Sequence, residues 1–203
     1  MPYDVAITDA ILAALAGREG FRLLSRPQGG TIAGVGLLIV ALAAAFGALR
    51  YAGVAGLEGA HDGVIRLAGQ VGLPLVGVGY VVAAFVPQHG PRVRPYAFVV
   101  LLLLAVALID VPSWTTIIGG LGMVAVAVGA GRLGQRYPAA LLFGLVGALG
   151  ILVNGLYVRG AGSVGFLSRG AWFHLGLAGS AWALAQGLLR LPENLVEDDH
   201  GQD

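Results

Sequence analysis

The chain has 203 residues, 57% of them hydrophobic and 11% charged, with a formal net charge of +1. Average soluble domains carry about 25% charged residues, so this composition excludes an ordinary water-facing surface and points to an all-α, polytopic integral membrane protein. The near-neutral charge argues against a nucleic-acid partner, and the absence of cysteine excludes disulfides, thiolate metal sites and a thiol nucleophile.

All twelve basic residues are arginines, and with 34 glycines this suggests a high-GC bacterial genome and a bacterial inner membrane. No basic residue precedes Arg18, so a cleaved signal peptide is not expected. Seven stretches suit membrane helices. The first, residues 3–24, is apolar from Val5 to Ala16 apart from Thr8 and Asp9, then meets Arg18, Glu19 and Arg22. It either spans or lies along the surface. Spanning is favoured because Asp9, Ala13 and Ala16 make a small-residue stripe suited to close helix packing.

Residues 31–49 contain no charge, and Gly30 and Gly34 form a GxxxG step at their start. Residues 62–86 carry Arg66, Gln70 and a kinking Pro74. Residues 95–109 are almost wholly aliphatic and end at Asp110, with Pro112 and Trp114 beyond. Residues 115–130 are short and glycine-rich, and residues 138–158 hold Gly144, Gly147, Gly150 and Asn154. The last stretch, residues 169–189, places His174, Ala178, Ala181 and Ala185 on one helical face. Ser168 is expected to cap it, and Ser113 or Thr115 to cap the fifth helix. The expected organisation is one membrane domain, residues 1–190, followed by an acidic disordered tail, residues 191–203.

Arginine counts in the connections set the orientation. Eight (Arg18, Arg22, Arg26, Arg92, Arg94, Arg132, Arg136, Arg190) fall on one side and four (Arg50, Arg66, Arg159, Arg169) on the other. The first side is then cytoplasmic, which puts the N-terminus outside and the C-terminus inside. This topology brings Asp9, His61, Asp62, Asp110, Asn154 and His174 to similar depth in the outer half. Arg66 and Gln70 continue inward from Asp62 at i+4 and i+8. Ionisable groups at membrane depth are costly and usually face an interior cavity, so Asp9, His61, Asp62, Arg66, Gln70, Asn154 and His174 are the candidate pocket residues.

Two imidazoles and a carboxylate, His61 and His174 with Asp9 or Asp62, would suit a catalytic zinc. The alternatives are a polar ligand pocket without metal, or a structural arrangement. In the structural case Asp62 pairs with Arg66, His61 sits in a loop, and His174 bonds a neighbouring carbonyl. The Gly-rich run at Ile118 has no following lysine and is read as helix packing, not a phosphate loop.

Ile7-Thr8-Asp9, the histidine of Leu57-Glu-Gly-Ala-His61, and Trp172-Phe173-His174 at the head of the last helix resemble a group of bacterial seven-helix proteins. These are themselves similar to the alkaline ceramidase-like (CREST) superfamily of membrane hydrolases. The resemblance covers most of the chain in helix number and order and rests on single residues. It implies a zinc held by histidines near one membrane face, with an aspartate and a serine assisting hydrolysis of a lipid amide. His61 and His174 match two of the histidines by position. The third is absent, because Gly170 and Ala178 flank His174 where the superfamily's last helix carries a pair of histidines four apart, and no matching serine stands beside His61.

Three function classes follow. The first is a divergent or inactive ceramidase-like lipid hydrolase, or a lipid-binding protein, with membrane lipids as partners. The second is a small transporter or channel along Asp62, Arg66 and Gln70, against which stands the apolar sequence below Gln70. The third is a structural subunit, or a homo-oligomer joined through small-residue helix faces. Whether the protein is an enzyme is left open.

Overall fold

The computed structural model describes residues 3–108, 111, 113–158 and 162–193. Asp110, Pro112, Arg159, His200 and the tail beyond residue 193 lie outside the described residues. Among those described the chain folds into seven helices in the expected order. They are α1 (Tyr3–Leu24), α2 (Gly30–Tyr51), α3 (Glu58–Phe85), α4 (Gly90–Ala107), α5 (Trp114–Gly134), α6 (Pro138–Val153) and α7 (Arg169–Leu189). Four helical stretches, Gly30–Tyr51, Glu58–Phe85, Trp114–Gly134 and Pro138–Leu156, are long and apolar enough to cross a membrane.

Several boundaries differ from the hydropathy limits. The third helix begins at Glu58, four residues before the apolar run, because an acidic first turn suits the positive end of the helix dipole. His61 therefore stands inside α3 and not in a loop. Pro74 has no N–H to give to the preceding turn, and the chain passes through a wider π turn, Ala68–Gly72, just ahead of it. The fourth helix starts at Gly90, and Pro95 stands inside it. The sixth runs on into a second π turn, Asn154–Val158.

The helices wind around a common core. α1 lies between α2 and α7, α6 packs on α5 and α7, and α3 fills the space between α2 and α5. α4 leans on α3 at the edge of the bundle. Small residues set the close crossings: a Cβ on Gly34 would come within 2.7 Å of the Gly20 carbonyl, and one on Gly77 nearer still to the Gly122 carbonyl, so α1 nears α2 and α3 nears α5 backbone to backbone. Tyr80 is fully buried, and its hydroxyl donates to the Leu184 carbonyl at 2.7 Å, tying α3 to α7.

The outward faces are as apolar as the core. Leu121, Val124 and Val128 on α5, and Leu142, Val146, Leu149 and Val153 on α6, recur at helical spacing and are exposed. A contiguous apolar exterior is what a hydrocarbon solvent favours and water does not.

One end of the bundle is closed by a small hairpin in which Ser163 pairs with Ser168 and Val164 with Leu167. Its two-residue turn is led by Gly165 at φ 63°, where a hairpin of this length requires a left-handed residue. Ser168 then caps α7, its Oγ accepting from the Ala171 N–H at 3.1 Å. The Ser168 N–H donates to the Asp4 carboxylate at 2.7 Å, which clasps the hairpin to the start of α1. At the opposite end the fully buried Glu19 accepts from Arg22 at 2.8 Å and Gln186 at 3.3 Å, joining α1 to α7.

Candidate functional site

Three of the sequence candidates meet at the hairpin end of the bundle. Asp9 is buried about 9 Å into α1, counting six residues from Tyr3 at 1.5 Å each. His174 reaches it from α7, with Nδ1 3.2 Å from Asp9 Oδ1. The two atoms are close but out of line for a hydrogen bond. Among the described residues His174 Nδ1 and Asp9 Oδ2 are buried without a hydrogen-bond partner. Buried polar atoms are normally satisfied, and an unpaired one costs roughly 1–3 kcal/mol; Glu19 Oε1 and Trp114 Nε1 are unpaired in the same way elsewhere in the bundle.

His61 enters from α3, buried, with the edge of its ring against Tyr51 at 5.8 Å between centroids. Its Nδ1 lies 2.8 Å from Arg50 Nη1. A guanidinium can only donate, so Nδ1 accepts and the neutral ring carries its proton on Nε2. Gly47 of α2 lies between that N–H and Asp9. A methyl group there would lie 3.0 Å from His61 Nε2 and would overlap Asp9 Oδ2. The missing side chain therefore makes the cradle in which the His61 N–H, the Asp9 carboxylate and His174 face one another. Arg50 also donates to Asp62 Oδ1 at 3.1 Å, which completes a polar chain from the exposed rim inward: Asp62, Arg50, His61, Asp9, His174.

Below this cluster opens a pocket of about 310 Å³, at the small end of ordinary ligand sites. Asp9, His61 and His174 form its polar end, and Leu12, Val40, Met123, Ile151, Phe173 and Leu177 are among its apolar walls. All helices except α4 contribute.

The other candidates lie elsewhere. Asp62 pairs with Arg50 and not with Arg66, and Asp62, Arg66 and Gln70 line a separate groove against α4. Gln70 is buried and donates to Thr115 Oγ1 at 3.0 Å, so Thr115 serves as an acceptor on α5 and not as its cap. Asn154 packs against Gly176, and its amide donates to the Phe173 carbonyl, bracing α6 on α7 beside the site. Arg50 and Gly47 were not among the candidates. In the sequence Arg50 counts only among the arginines of the connections, and nothing marks one glycine among 34.

As placed, these side chains do not present a ready-made histidine ligand set for zinc. His61 presents a protonated nitrogen to the cradle because Arg50 occupies the other one. Among the described residues no three histidine, aspartate or glutamate side chains gather at ligating distance. What the arrangement offers is a hydrogen-bond donor, an unsatisfied carboxylate oxygen and an unsatisfied imidazole nitrogen above an apolar cavity. Comparison with protein-family models, curated proteins and solved structures finds no match for this chain.

Proposed function

We propose that this is a seven-span membrane protein, N-terminus outside and C-terminus cytoplasmic, that takes a lipid-derived amphiphile into the bundle from the outer leaflet. The polar head rests on Asp9, His61 and His174, and the acyl portion fills the apolar pocket beneath. The observation that carries this reading is the pairing of two buried, unpartnered polar atoms, Asp9 Oδ2 and His174 Nδ1, with an apolar cavity of about 310 Å³. A head bearing both an N–H or O–H and a carbonyl, such as an acyl amide or monoacylglycerol, would satisfy the carboxylate as donor and the His61 N–H as acceptor. The apolar floor speaks against passage of polar solutes and so against a channel.

A second reading is hydrolytic. The 3.2 Å approach of Asp9 to His174 sets a carboxylate beside an imidazole, and a small turn of the ring would align them in the arrangement that lets a ring act as general base toward water. This agrees with the resemblance to ceramidase-like membrane hydrolases without requiring their metal.

The test is binding of a fluorescent acyl-amide amphiphile to the purified protein in detergent. Asp9→Asn and His174→Ala are each expected to weaken binding at least tenfold, since each removes a buried partner of the head, a loss on the order of 1.4 kcal/mol or more. Equal binding by wild type and both variants overturns the proposal. Release of free fatty acid by wild type and not by His174→Ala would favour the hydrolytic reading.

A further inference from the structure

The second groove carries its own inference, which rests on the membrane-spanning reading above and not on the Asp9 pocket. It lies between α3 and α4, encloses about 370 Å³, and is lined by Asp62, Gly63, Arg66 and Gln70 on one side and Leu102, Ala105 and Val106 on the other. Two of its polar side chains are already engaged, Asp62 with Arg50 and Gln70 with Thr115. Arg66 is exposed, and among the described residues it has neither an ion-pair nor a hydrogen-bond partner. Glycines 59 and 63 leave the same stretch of α3 bare, with nothing within 4 Å of where their side chains would stand.

Depth tells what such an arginine meets. The 28 residues Glu58–Phe85 make about 42 Å of helix, against about 30 Å of hydrocarbon. With Phe85 at the inner boundary, beside the exposed Arg92 and Arg94, the surplus of about 12 Å corresponds to the eight residues, Glu58 to Ile65, that precede Arg66. Arg66 then stands where hydrocarbon gives way to lipid phosphate. A guanidinium is permanently charged and matches phosphate oxygens two at a time. The Asp62–Arg50 pair is neutral as a unit, so among the described residues that line the groove the uncompensated charge is that of Arg66. Leu102 and Val106 continue away from it as an exposed apolar wall.

We propose that this groove binds one phospholipid of the outer leaflet whose headgroup carries net negative charge. Its phosphate lies on Arg66, and an acyl chain lies along Leu102, Ala105 and Val106 of α4.

The experiment is native mass spectrometry of the purified protein exchanged into equal amounts of phosphatidylglycerol and phosphatidylcholine. Wild type is expected to retain phosphatidylglycerol about fivefold over phosphatidylcholine, the ratio for one arginine at an anionic interface. Arg66→Gln should abolish the preference and Arg66→Lys should keep most of it. Val106→Trp, which fills the groove without touching charge, should lower retention of both lipids. Equal retention of the two lipids by wild type, or an undiminished preference in Arg66→Gln, overturns the proposal. So does loss of bound phosphatidylglycerol to soluble glycerol phosphate, which would show a site for the phosphate alone. Asp9→Asn should leave this retention unchanged and Arg66→Gln should leave amphiphile binding unchanged, so each proposal can fail without the other.

Discussion

The smallest residue in the cluster sets its geometry. Gly47 leaves the space in which Asp9 and the His61 N–H face each other, and a side chain there would overlap Asp9 and crowd His61. Gly47→Ala is therefore expected to reduce amphiphile binding at least tenfold while leaving every titratable group in place, measured by the same fluorescence titration; unchanged binding would mean that the cradle is not the site. The proton on His61 is fixed by Arg50, which holds the opposite ring nitrogen. Protein purified without chelator should accordingly carry well under one zinc per chain by elemental analysis, in wild type as in His174→Ala. Stoichiometric zinc in the wild type that disappears in the variant would contradict this assignment of the tautomer. Part of the site was legible from spacing alone. At about 100° per residue His61 points a quarter-turn away from Asp62, so the face that follows His61 (Ile65, Ala68, Gly69) turns to the Asp9 pocket. The face of Asp62, Arg66 and Gln70 turns instead to α4. Grouping these polar residues by depth alone merges two sites that the helix period separates.

At the level of elements, the site is held by contacts that link helices far apart in the chain. Tyr80 donates across 104 residues to the backbone of α7. Removing that hydroxyl leaves the Leu184 carbonyl without this donor in an apolar core. Tyr80→Phe should thus cost about 1 kcal/mol of stability, seen as earlier unfolding in a detergent titration, with amphiphile affinity little changed. Ser168 has a different task, capping α7 one and a half turns before His174 while its backbone is clasped by Asp4. Ser168→Ala is expected to cost about 1 kcal/mol as well. In this case amphiphile affinity should also fall, because the cap orients the helix that presents His174; stability and binding falling together separates this position from Tyr80. Glu19 is the counterpart at the other end. In the sequence Glu19 is one of three charges that follow the apolar run, whereas in the fold its carboxylate is buried between Arg22 and Gln186. A lone glutamate beside two arginines gives no warning of this, since its burial depends on α7 arriving from 167 residues away.

For the whole molecule, the two ends of the bundle differ in a way that labelling can read. The hairpin end carries Phe166 at 89% exposure, and the opposite end carries Gln135 after α5. The chain contains no cysteine, so single replacements report without background. In intact cells a membrane-impermeant thiol reagent is expected to label Phe166→Cys and to spare Gln135→Cys until the membrane is opened. The reverse pattern would invert the orientation and move the Asp9 pocket and the Arg66 groove to the inner leaflet.

The sequence by itself determined the helical class, the number and order of the helices, and the small-residue faces on which they pack. These follow from local composition: long apolar runs satisfy their own backbones as helices, and glycine and alanine permit close approach wherever they fall. Only the tertiary structure decided which polar residues share a cavity. The clustering of Asp9 with His61 and His174 across Gly47, the Arg50 bond that sets the His61 proton, and the separate groove that takes Arg66 all depend on how helices rotate against one another. That rotation is fixed by packing between segments up to 165 residues apart, which no local window of sequence contains.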